Sequence, residues 1–259
     1  MPPAQPPRTD ALRRPRNDPA QRPRNDPAQY DDLAAAWEDP RGPFAMLGWL
    51  AAARATLIPP AARPDAVLLD LACGGGLLAP SVARLGYRHV GFDLSGTALA
   101  IATRRGVTAI RADVTRLPVA DAVADVVVAG EILEHVADPA GVVAEAARAL
   151  RPGGTLVVDT IADTALARLV AVRLAERVRG GPPPGLHDPA LLVDRAALVR
   201  TAAEHGIALR LTGLRPSARG WLRWLAGRPG NVAMHPTRST AVLFTGVGRK
   251  AGSAPAARS

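Results

Sequence analysis

The stretch LLDLACGGGLLAPSVARLGYRHVGFDLS, residues 68–95, joins two apolar runs through three consecutive glycines. The first run contains Asp70, the chain then turns through residues 74–76, and the second run ends at Asp93. Glycines at such a turn let a ligand approach backbone N–H groups, and an acid that ends the next strand can accept both hydroxyls of a ribose. The stretch therefore predicts a strand–turn–helix–strand unit that binds a nucleoside-containing cofactor.

Short β-rich runs alternate with helical stretches on either side of this unit. Continuous apolar strands separated by helices indicate a parallel sheet that is covered on both faces. No full-length helix separates the last two runs, so we expect the final strand to insert antiparallel. The sequence predicts an α/β, doubly wound, mostly parallel seven-stranded sheet of Rossmann-like type, with strands at residues 66–72, 89–93, 107–113, 125–130, 154–160, 207–214 and 240–248.

The domain organisation follows from length and composition. A chain of 259 residues with 48% apolar side chains suffices for one full-sized core. Residues 1–29 contain the octad RPRNDPAQ twice in tandem and are polar enough to predict a disordered tail. The predicted single domain spans residues 30–250, divided into N-terminal helices (30–60), a cofactor-binding core (61–162), a lid or insertion (163–206) and C-terminal strands (207–250), with a second disordered tail at 251–259.

Charge and cysteine content narrow the classes of partner. The formal net charge is +9, and from His205 onward there are nine basic residues and no acid. Such an end can meet RNA, an anionic membrane face or an acidic substrate; no aromatic stacking platform accompanies it, so no nucleic acid is expected. Cys73 is the only cysteine, which fits a reducing cytoplasm, and no run of ~20 apolar residues predicts a membrane span. We expect a cytoplasmic protein, soluble or peripherally membrane-associated.

The identity of the cofactor is a separate question, because GGGLLA at residues 74–79 also fits the dinucleotide fingerprint G-x-G-x-x-G/A. Three features favour S-adenosylmethionine over NAD. Asp70 precedes the loop, where a carboxylate can meet the cationic methionine end but would repel a pyrophosphate. The other two features are the stretches ADVTRLPVAD (112–121) and LRPGG (150–154).

Together these features resemble the class I S-adenosylmethionine-dependent methyltransferases over roughly residues 66–160. The resemblance implies a Rossmann-like methyltransferase fold, in which Asp93 holds the ribose and Asp113 lies by the adenine. Ala72 stands where the family's D/E-x-G-x-G pattern has its first glycine. A methyl group is tolerable there if the backbone keeps a negative φ.

The stretch GEILEHVADP (130–139) places two carboxylates and an imidazole within five residues. On a helix starting near Glu131, the side chains of Glu131, Glu134 and His135 would share one face at the carboxyl edge of the sheet. They can hold a divalent cation such as Mg²⁺, or the imidazole alone can remove a phenolic proton. Alternatively, the acids only complement the dipole of the helix.

A closer resemblance covers most of residues 30–193. The stretches YDDLAAAWEDPRGPFAMLGWLAAAR, ACGGGLLAPSVARLG, EILEHVADP and PPPGLHDPALLV are similar to successive motifs of the ubiquinone-biosynthesis O-methyltransferases, which methylate phenolic hydroxyls on polyprenylated rings. The resemblance implies that Arg54 and Ile132 lie beside the cofactor and that His187 and Asp188 close over the acceptor. It also implies a metal site at Glu131, Glu134 and His135. Two motifs of the family differ in this chain: N-P-L-R is replaced by AAAR, and G-T-H-D is replaced by GLHD. The chain beyond Val193 matches the family poorly.

These observations predict an S-adenosylmethionine-dependent O-methyltransferase that acts on a phenolic or catechol hydroxyl of a small, prenylated quinone precursor or a secondary metabolite. The alternatives are an RNA or protein methyltransferase that uses the basic C-terminal region, and a nicotinamide-dependent oxidoreductase. The predicted catalytic residues are His135, Glu131, Glu134 and His187, with Glu131, Glu134 and His135 as the metal site. The predicted cofactor-binding residues are Arg54, Asp70, Ala72, Gly74, Gly76, Asp93, Leu94, Asp113, Val114 and Ile132.

Two amphipathic segments bear on the acceptor. In residues 163–181 an apolar side of leucines and valines is surrounded by arginines, which is typical of a helix in a membrane interface or of a lid packed on its own domain. In residues 219–230, Trp221, Leu222, Trp224 and Leu225 either line the acceptor pocket or fill the core, with the core favoured. Peripheral contact with an anionic membrane is therefore an expectation.

Overall fold

The fold is built on one mixed sheet of eight strands in the order β3-β2-β1-β4-β5-β8-β6-β7. The computed structural model describes residues 31, 33–178, 181–228 and 230–252, so the duplicated tail at 1–29 and most of the predicted tail at 251–259 lie outside the described residues. The strands are β1 Val67–Leu71, β2 Arg88–Asp93, β3 Thr108–Arg111, β4 Ala124–Gly130, β5 Leu150–Ile161, β6 Arg210–Pro216, β7 Met234–Thr237 and β8 Leu243–Arg249.

Helices cover both faces of this sheet. The α-helices are α1 Ala45–Ala55, α2 Ala79–Val82, α3 Gly96–Arg104, α4 Pro139–Ala149, α6 Arg195–Glu204 and α7 Ala218–Leu225; α5 consists of an α turn Ala165–Ala167, a π-helical stretch Arg168–Leu174 and a 3-10 turn Ala175–Arg177. Short 3-10 turns lie at Ala34–Glu38 and Leu133–His135. Ser95, Asp138 and Asp194 begin α3, α4 and α6 by accepting N–H bonds from the first turn.

The predicted α/β class and Rossmann-like sheet are confirmed. Strands β1 to β5 pair in parallel, and β8 inserts antiparallel between β5 and β6, as expected of the last strand. The strand count of seven was one too low. The missed strand β7 has the sequence MHPT, whose proline is a poor strand former; it is tolerated because β7 is an edge strand paired only with β6.

Alternating side chains of the central strands supply both cores. Leu69, Leu71 and Val127 belong to the core on one face, and Leu68 and Val126 to the core on the other. Almost the whole of β4 is buried, because helices cover both of its faces. This double burial fixes the register, since a shift of one residue would exchange the two sets of side chains.

The helix predicted to start near Glu131 is not formed. Glu131 adopts φ +52°, a left-handed conformation, and the chain then makes only the 3-10 turn Leu133–His135. The helix α4 starts at Pro139, where proline occupies the first helical position and Asp138 provides the N-cap. Glu131, Glu134 and His135 therefore project from a turn and not from one helical face.

Ala72 likewise adopts a left-handed conformation, with φ +54°. The condition under which a methyl group is easily tolerated here, a negative φ, is therefore not met. The strand must turn sharply into the glycine loop, and a glycine there would avoid the steric contact between Cβ and the following carbonyl. Ala122 has nearly the same conformation, φ +55°, on the exposed surface before β4.

We expect Ala72→Gly to raise the free energy of unfolding by about 0.5 kcal/mol, because relief of the left-handed alanine exceeds the added entropy of the unfolded chain. Urea unfolding measures the change. Ala122→Gly is the matched control and is expected to give a similar gain. A loss of stability in Ala72→Gly alone would contradict the strain argument and point to packing of the Ala72 methyl group.

Candidate functional site

A cavity of about 820 Å³ opens at the carboxyl edge of the parallel strands. Nine of the ten predicted cofactor-binding residues line it: Arg54, Asp70, Ala72, Gly74, Asp93, Leu94, Asp113, Val114 and Ile132. Of the predicted catalytic residues, Glu131, His135 and His187 line it as well. The sheet thus brings together residues from separate loops, as expected where the order of strands reverses.

Two predicted residues do not line the cavity. Gly76, with φ +72°, lies where an added Cβ would be 3.0 Å from Cα of Ala102, so its lack of a side chain serves the packing of the glycine loop on α3. Glu134 is fully buried behind the wall, where its Oε2 accepts a 2.6 Å hydrogen bond from the hydroxyl of Thr160.

Asp93 organises the glycine loop from the end of β2. Its carboxylate accepts N–H bonds of 2.8 Å from both Gly74 and Ser95. Burial raises the pKa of Asp93, and the N–H donors oppose this shift. A carboxylate offers about four acceptor positions, so the N–H donors do not exhaust its capacity to accept a ribose hydroxyl. The half-buried acid beside an open glycine turn fits the nucleoside of S-adenosylmethionine.

An aromatic residue covers the same loop from the N-terminal segment. Trp37 stacks on Phe44 with ring centroids 4.1 Å apart, and a Cβ added at Gly75 would approach its indole to 2.9 Å. Arg105 fastens the two segments by donating to the carbonyl oxygens of Gly75 (2.7 Å) and Trp37 (3.0 Å). Glycine is therefore needed here for the approach of the tryptophan as well as of a ligand.

Glu131 and Glu134 are carboxyl groups in an apolar environment. Burial, the neighbouring Glu134 and Asp159 raise the pKa of Glu131 well above its usual range, against the opposing effect of Arg54. Burial raises the pKa of Glu134 to about 7, and the Thr160 hydrogen bond limits this rise. The Oε1 atoms of Glu131 and Glu134 are buried and accept no hydrogen bond from the part of the chain that the structure describes.

Two imidazoles face each other across the cavity wall. The ring centroids of His135 and His187 are 5.4 Å apart. Burial, together with His187, lowers the pKa of His135 to about 3. Glu176, at the end of α5, holds His187: its carboxylate lies 3.4 Å from Nδ1 and accepts the backbone N–H groups of Gly185 (2.9 Å) and His187 (3.2 Å).

The metal site that the resemblance implied does not fit this arrangement. In the described ranges, no group of three or more His, Cys, Asp or Glu side chains is placed so that it could hold a metal ion. The physical reason lies in the turn at Glu131, which replaces the single helical face on which the three side chains were expected to meet. Glu134 is also engaged by Thr160.

The remaining wall of the cavity is apolar and aromatic. Trp49 and Trp221 lie edge to face with centroids 6.1 Å apart, and Trp224 packs beneath them in the core. Of the residues predicted in the 219–230 segment, Trp224 fills the core and Trp221 lines the cavity, whereas Leu222 and Leu225 do neither and are exposed. Leu174 and Val178 of the α5 region also line the cavity, and Val178 packs against the same tryptophan cluster.

The segment 163–181 does not pack its leucines on the domain. Ala167, Ala171 and Val172 are buried, while Leu166, Leu169, Val170 and Leu174 are 38–50% exposed. No helix among the described residues is long and apolar enough to cross a bilayer.

Fold and site together define a class I S-adenosylmethionine-dependent methyltransferase. Residues 69–158 match a family model described as a methyltransferase domain. The chain is 34% identical over 189 residues to the ubiquinone biosynthesis O-methyltransferase of Burkholderia pseudomallei, covering 70% of this chain and 81% of that protein. The protein of the same name from Thiobacillus denitrificans is 36% identical over 197 residues, covering 71% and 84%. The chain belongs to the family of ubiquinone biosynthesis O-methyltransferases.

A solved structure supports the fold. A methyltransferase from Thermotoga maritima, described as a possible histamine N-methyltransferase, superposes with a TM-score of 0.61 at 16% identity, covering 85% of this chain and 98% of that one. At that identity the likeness concerns the fold alone. The comparisons favour neither an RNA or protein methyltransferase nor a nicotinamide-dependent oxidoreductase.

Sequence reasoning missed Asp159, Glu176 and Trp37. Asp159 is bonded to Arg54, 105 residues away, and nothing local to either residue indicates the pair. Glu176 follows a π-helical stretch, so an α-helical projection places it wrongly. For Trp37 the only signal was its place in an apolar pattern.

We expect ionisation of the buried acids to lower the free energy of unfolding as the pH rises from about 4.5 to about 7, against the opposite effect of His135, whose lowered pKa favours folding as the pH rises. The folded pKa of Glu134, about 7, exceeds the ordinary value of 4.5, so the folded state binds this proton more tightly. Its contribution is fully present below pH 4.5 and is lost as the pH passes 7, at a cost of roughly 3 kcal/mol. Glu131 acts in the same direction.

Glu134→Gln keeps an acceptor for Thr160 and cannot ionise, so it is expected to reduce this loss. Urea unfolding between pH 4.5 and 8 gives the free energy for wild type and variant. Glu38→Gln, on the exposed surface, is the control and should leave the slope unchanged. An identical slope in wild type and Glu134→Gln would show that Glu134 ionises normally.

Proposed function

We propose that this methyltransferase transfers a methyl group from S-adenosylmethionine to a phenolic or catechol hydroxyl of a small aromatic acceptor, of the quinone-precursor or secondary-metabolite type. The proposal rests on the pair His135 and His187, which faces the same cavity as the predicted cofactor residues. The names of the relatives, ubiquinone biosynthesis O-methyltransferases, support the same class of acceptor.

The cofactor, when bound, supplies an electrophilic methyl group, which leaves the protein two tasks. The first is orientation: Asp70 and Asp93 hold the two ends of the cofactor, and the apolar wall with Trp221 holds the aromatic acceptor. The second is removal of the hydroxyl proton. A buried imidazole in contact with the acceptor can accept this proton and release it to solvent afterwards.

Of the two imidazoles, His187 is the stronger candidate for the base. His135 has its pKa lowered to about 3, so it is neutral at physiological pH and a weak proton acceptor. His187 is held by the carboxylate of Glu176 next to Nδ1, and its ring lines the cavity in which the acceptor is expected. Glu131 lies in the same wall, and burial raises the pKa of its carboxyl group, which favours the protonated form that can donate a hydrogen bond to an acceptor oxygen.

The apolar wall supports an acceptor with a hydrophobic substituent. The lining of the cavity includes Trp49, Trp221, Leu214 and Met234. Their side chains present aromatic and aliphatic surface, which favours a prenyl-like tail over a polar one.

Contact with an anionic membrane belongs to the same proposal. Four large apolar side chains of α5 are exposed, namely Leu166, Leu169, Val170 and Leu174, and Val170 and Leu174 also line the cavity. Exposed arginines at 168, 173 and 177 accompany them. Exposed leucines among arginines are typical of a helix that lies in a lipid interface.

We expect the protein to methylate catechol with S-adenosylmethionine, and His187→Asn to lower kcat about 100-fold, which is the usual contribution of a general base. His235→Asn, an exposed histidine on β7, is the matched control and should retain full activity. The assay follows radiolabelled methyl transfer to catechol, with Mg²⁺ and with EDTA. Because the described side chains form no metal-holding group, we expect activity to persist in EDTA.

Two outcomes would contradict parts of this proposal. Full activity in His187→Asn together with its loss in His135→Asn would assign the base to His135. Loss of activity in EDTA, restored by Mg²⁺, would establish the metal role of Glu131, Glu134 and His135 that the family resemblance implies.

We expect the protein to float with vesicles of phosphatidylglycerol and less with vesicles of phosphatidylcholine, since α5 offers both leucines and arginines. The double variant Leu169→Ser and Leu174→Ser should lose most of this binding, and Arg173→Glu should weaken it. Arg200→Glu, which changes an exposed arginine on α6, is the matched control. Equal flotation of all variants would place membrane contact elsewhere on the chain or rule it out.

A further inference from the structure

Arg54, in the last turn of α1, forms a buried two-pronged ion pair with Asp159 of β5. Nε donates to Oδ1 at 2.8 Å and Nη2 donates to Oδ2 at 2.9 Å. The side chains are 8% and 1% exposed. This parallel arrangement fixes the plane of the guanidinium as well as its position. Asp159 itself is not part of the cavity wall, whereas Arg54 is.

The pair leaves one edge of the guanidinium available. Nη1 donates to no protein group within the described ranges, since the hydrogen bonds of Arg54 run from Nε and Nη2. The cavity has few cations to offer an anionic group: besides its histidines, Arg54 and Arg215 are the basic residues among the described lining, against the acids Asp70, Asp93, Asp113 and Glu131.

Gly130 determines how closely the guanidinium lies against the sheet. A Cβ added at this glycine would overlap Cζ, Nε and Nη2 of Arg54. The guanidinium therefore packs directly on the backbone at the end of β4, while Asp159 holds its edge. Any side chain at position 130 would have to push Arg54 out of this plane.

Without Asp159, Arg54 would have other acids to pair with. Asp70 and Glu131 both interact electrostatically with its guanidinium. An ion pair between Arg54 and Asp70 would occupy the carboxylate that can interact with the ammonium and sulfonium groups of the methionine end. A dedicated buried partner keeps the positive and the negative group of the cavity apart, while Asp70 contacts Nε2 of His89 through Oδ2 at 3.1 Å.

We propose that Asp159 and Gly130 are positioning residues for cofactor binding, which hold Arg54 so that its Nη1 edge binds the methionine carboxylate of S-adenosylmethionine. This inference depends on the S-adenosylmethionine-dependent activity and not on the phenolic acceptor proposed above. Asp159 thereby has a role in ligand recognition through Arg54, although Asp159 itself does not touch the ligand.

The test compares two ligands by isothermal titration with the full chain. S-adenosylhomocysteine carries the amino-acid end, and 5′-methylthioadenosine shares the nucleoside and thioether but lacks that end. Asp159→Asn is expected to weaken S-adenosylhomocysteine about ten-fold or more, the range for a charged hydrogen bond, and to change 5′-methylthioadenosine less than about two-fold. A merely structural role in docking α1 would lower Tm and weaken both ligands alike.

Two further variants guard against misfolding of Asp159→Asn. Gly130→Ala should show the same selective loss, with Gly48→Ala as control because a Cβ at Gly48 meets nothing within 4 Å. The double variant Arg54→Gln and Asp159→Asn leaves no unpaired buried charge, so it should fold and bind 5′-methylthioadenosine normally. It should remain weak for S-adenosylhomocysteine.

Three results would overturn the proposal: equal weakening of both ligands in the variants, wild-type affinity of the double variant for S-adenosylhomocysteine, or a wild type that binds both ligands equally. Failure of catechol methylation with intact ligand selectivity would refute only the acceptor proposed above. The two inferences are therefore separable by experiment.

Discussion

The parallel pairing of β1 with β4 is the constraint on which the site depends. Its register sets Leu71 opposite Ala129, so both strands end at the same edge and the turns after them emerge side by side. Each turn begins with a non-glycine residue in a left-handed conformation, Ala72 in one and Glu131 in the other. Backbone strain of this kind is retained where the surrounding packing over-determines it, and it is concentrated at functional sites. Here the doubly buried strands provide that packing, and residues of both turns line the cavity.

Whether a feature of the fold or of the site can be predicted from the sequence depends on how far apart in the chain the residues that form it lie. The apolar runs and the glycine loop carry local, periodic information, and the class of sheet, the antiparallel last strand and the glycine-loop residues followed from them. The resemblance to a family, and not periodicity, pointed to Arg54, Asp113 and Ile132. The turn at Glu131 did not, because E-x-x-E-H has the spacing of a helical face and no turn-forming residue follows Gly130. Asp159 and Glu176 were missed because their roles come from partners that only the folded chain brings near. Local propensity cannot identify a carboxylate whose role depends on an ion pair with an arginine 105 residues away in the sequence.

The acids in and around the cavity form two chemically different sets. Asp93 accepts N–H bonds and Asp159 is paired with Arg54, so each has partners that support its charge. Burial raises the pKa of these two acids and of Glu131 and Glu134 alike, but each of the two glutamates has a buried Oε1 that accepts no hydrogen bond from the described residues. The hydrogen bonds and the ion pair therefore favour the charged form of the two aspartates, and burial favours the protonated form of the two glutamates. A site divided in this way can hold a sulfonium ion and yet present an apolar, weakly charged environment to an aromatic ring.

The distribution of charge on the surface is the opposite of that in the cavity. The chain carries a net charge of +9, and its C-terminal part contains no acid after Glu204. Screening in physiological salt limits the reach of surface charges to about 8 Å, so exposed arginines act on what touches the surface and hardly on a buried site. The same chain can therefore attract an anionic surface through its arginines and a cationic cofactor through its buried acids. The exposed leucines of α5 lie where the two regions meet, because Val170 and Leu174 belong both to the surface and to the cavity wall. An apolar acceptor that enters there would pass from one apolar environment to another without full exposure to water, which lowers the cost of transfer.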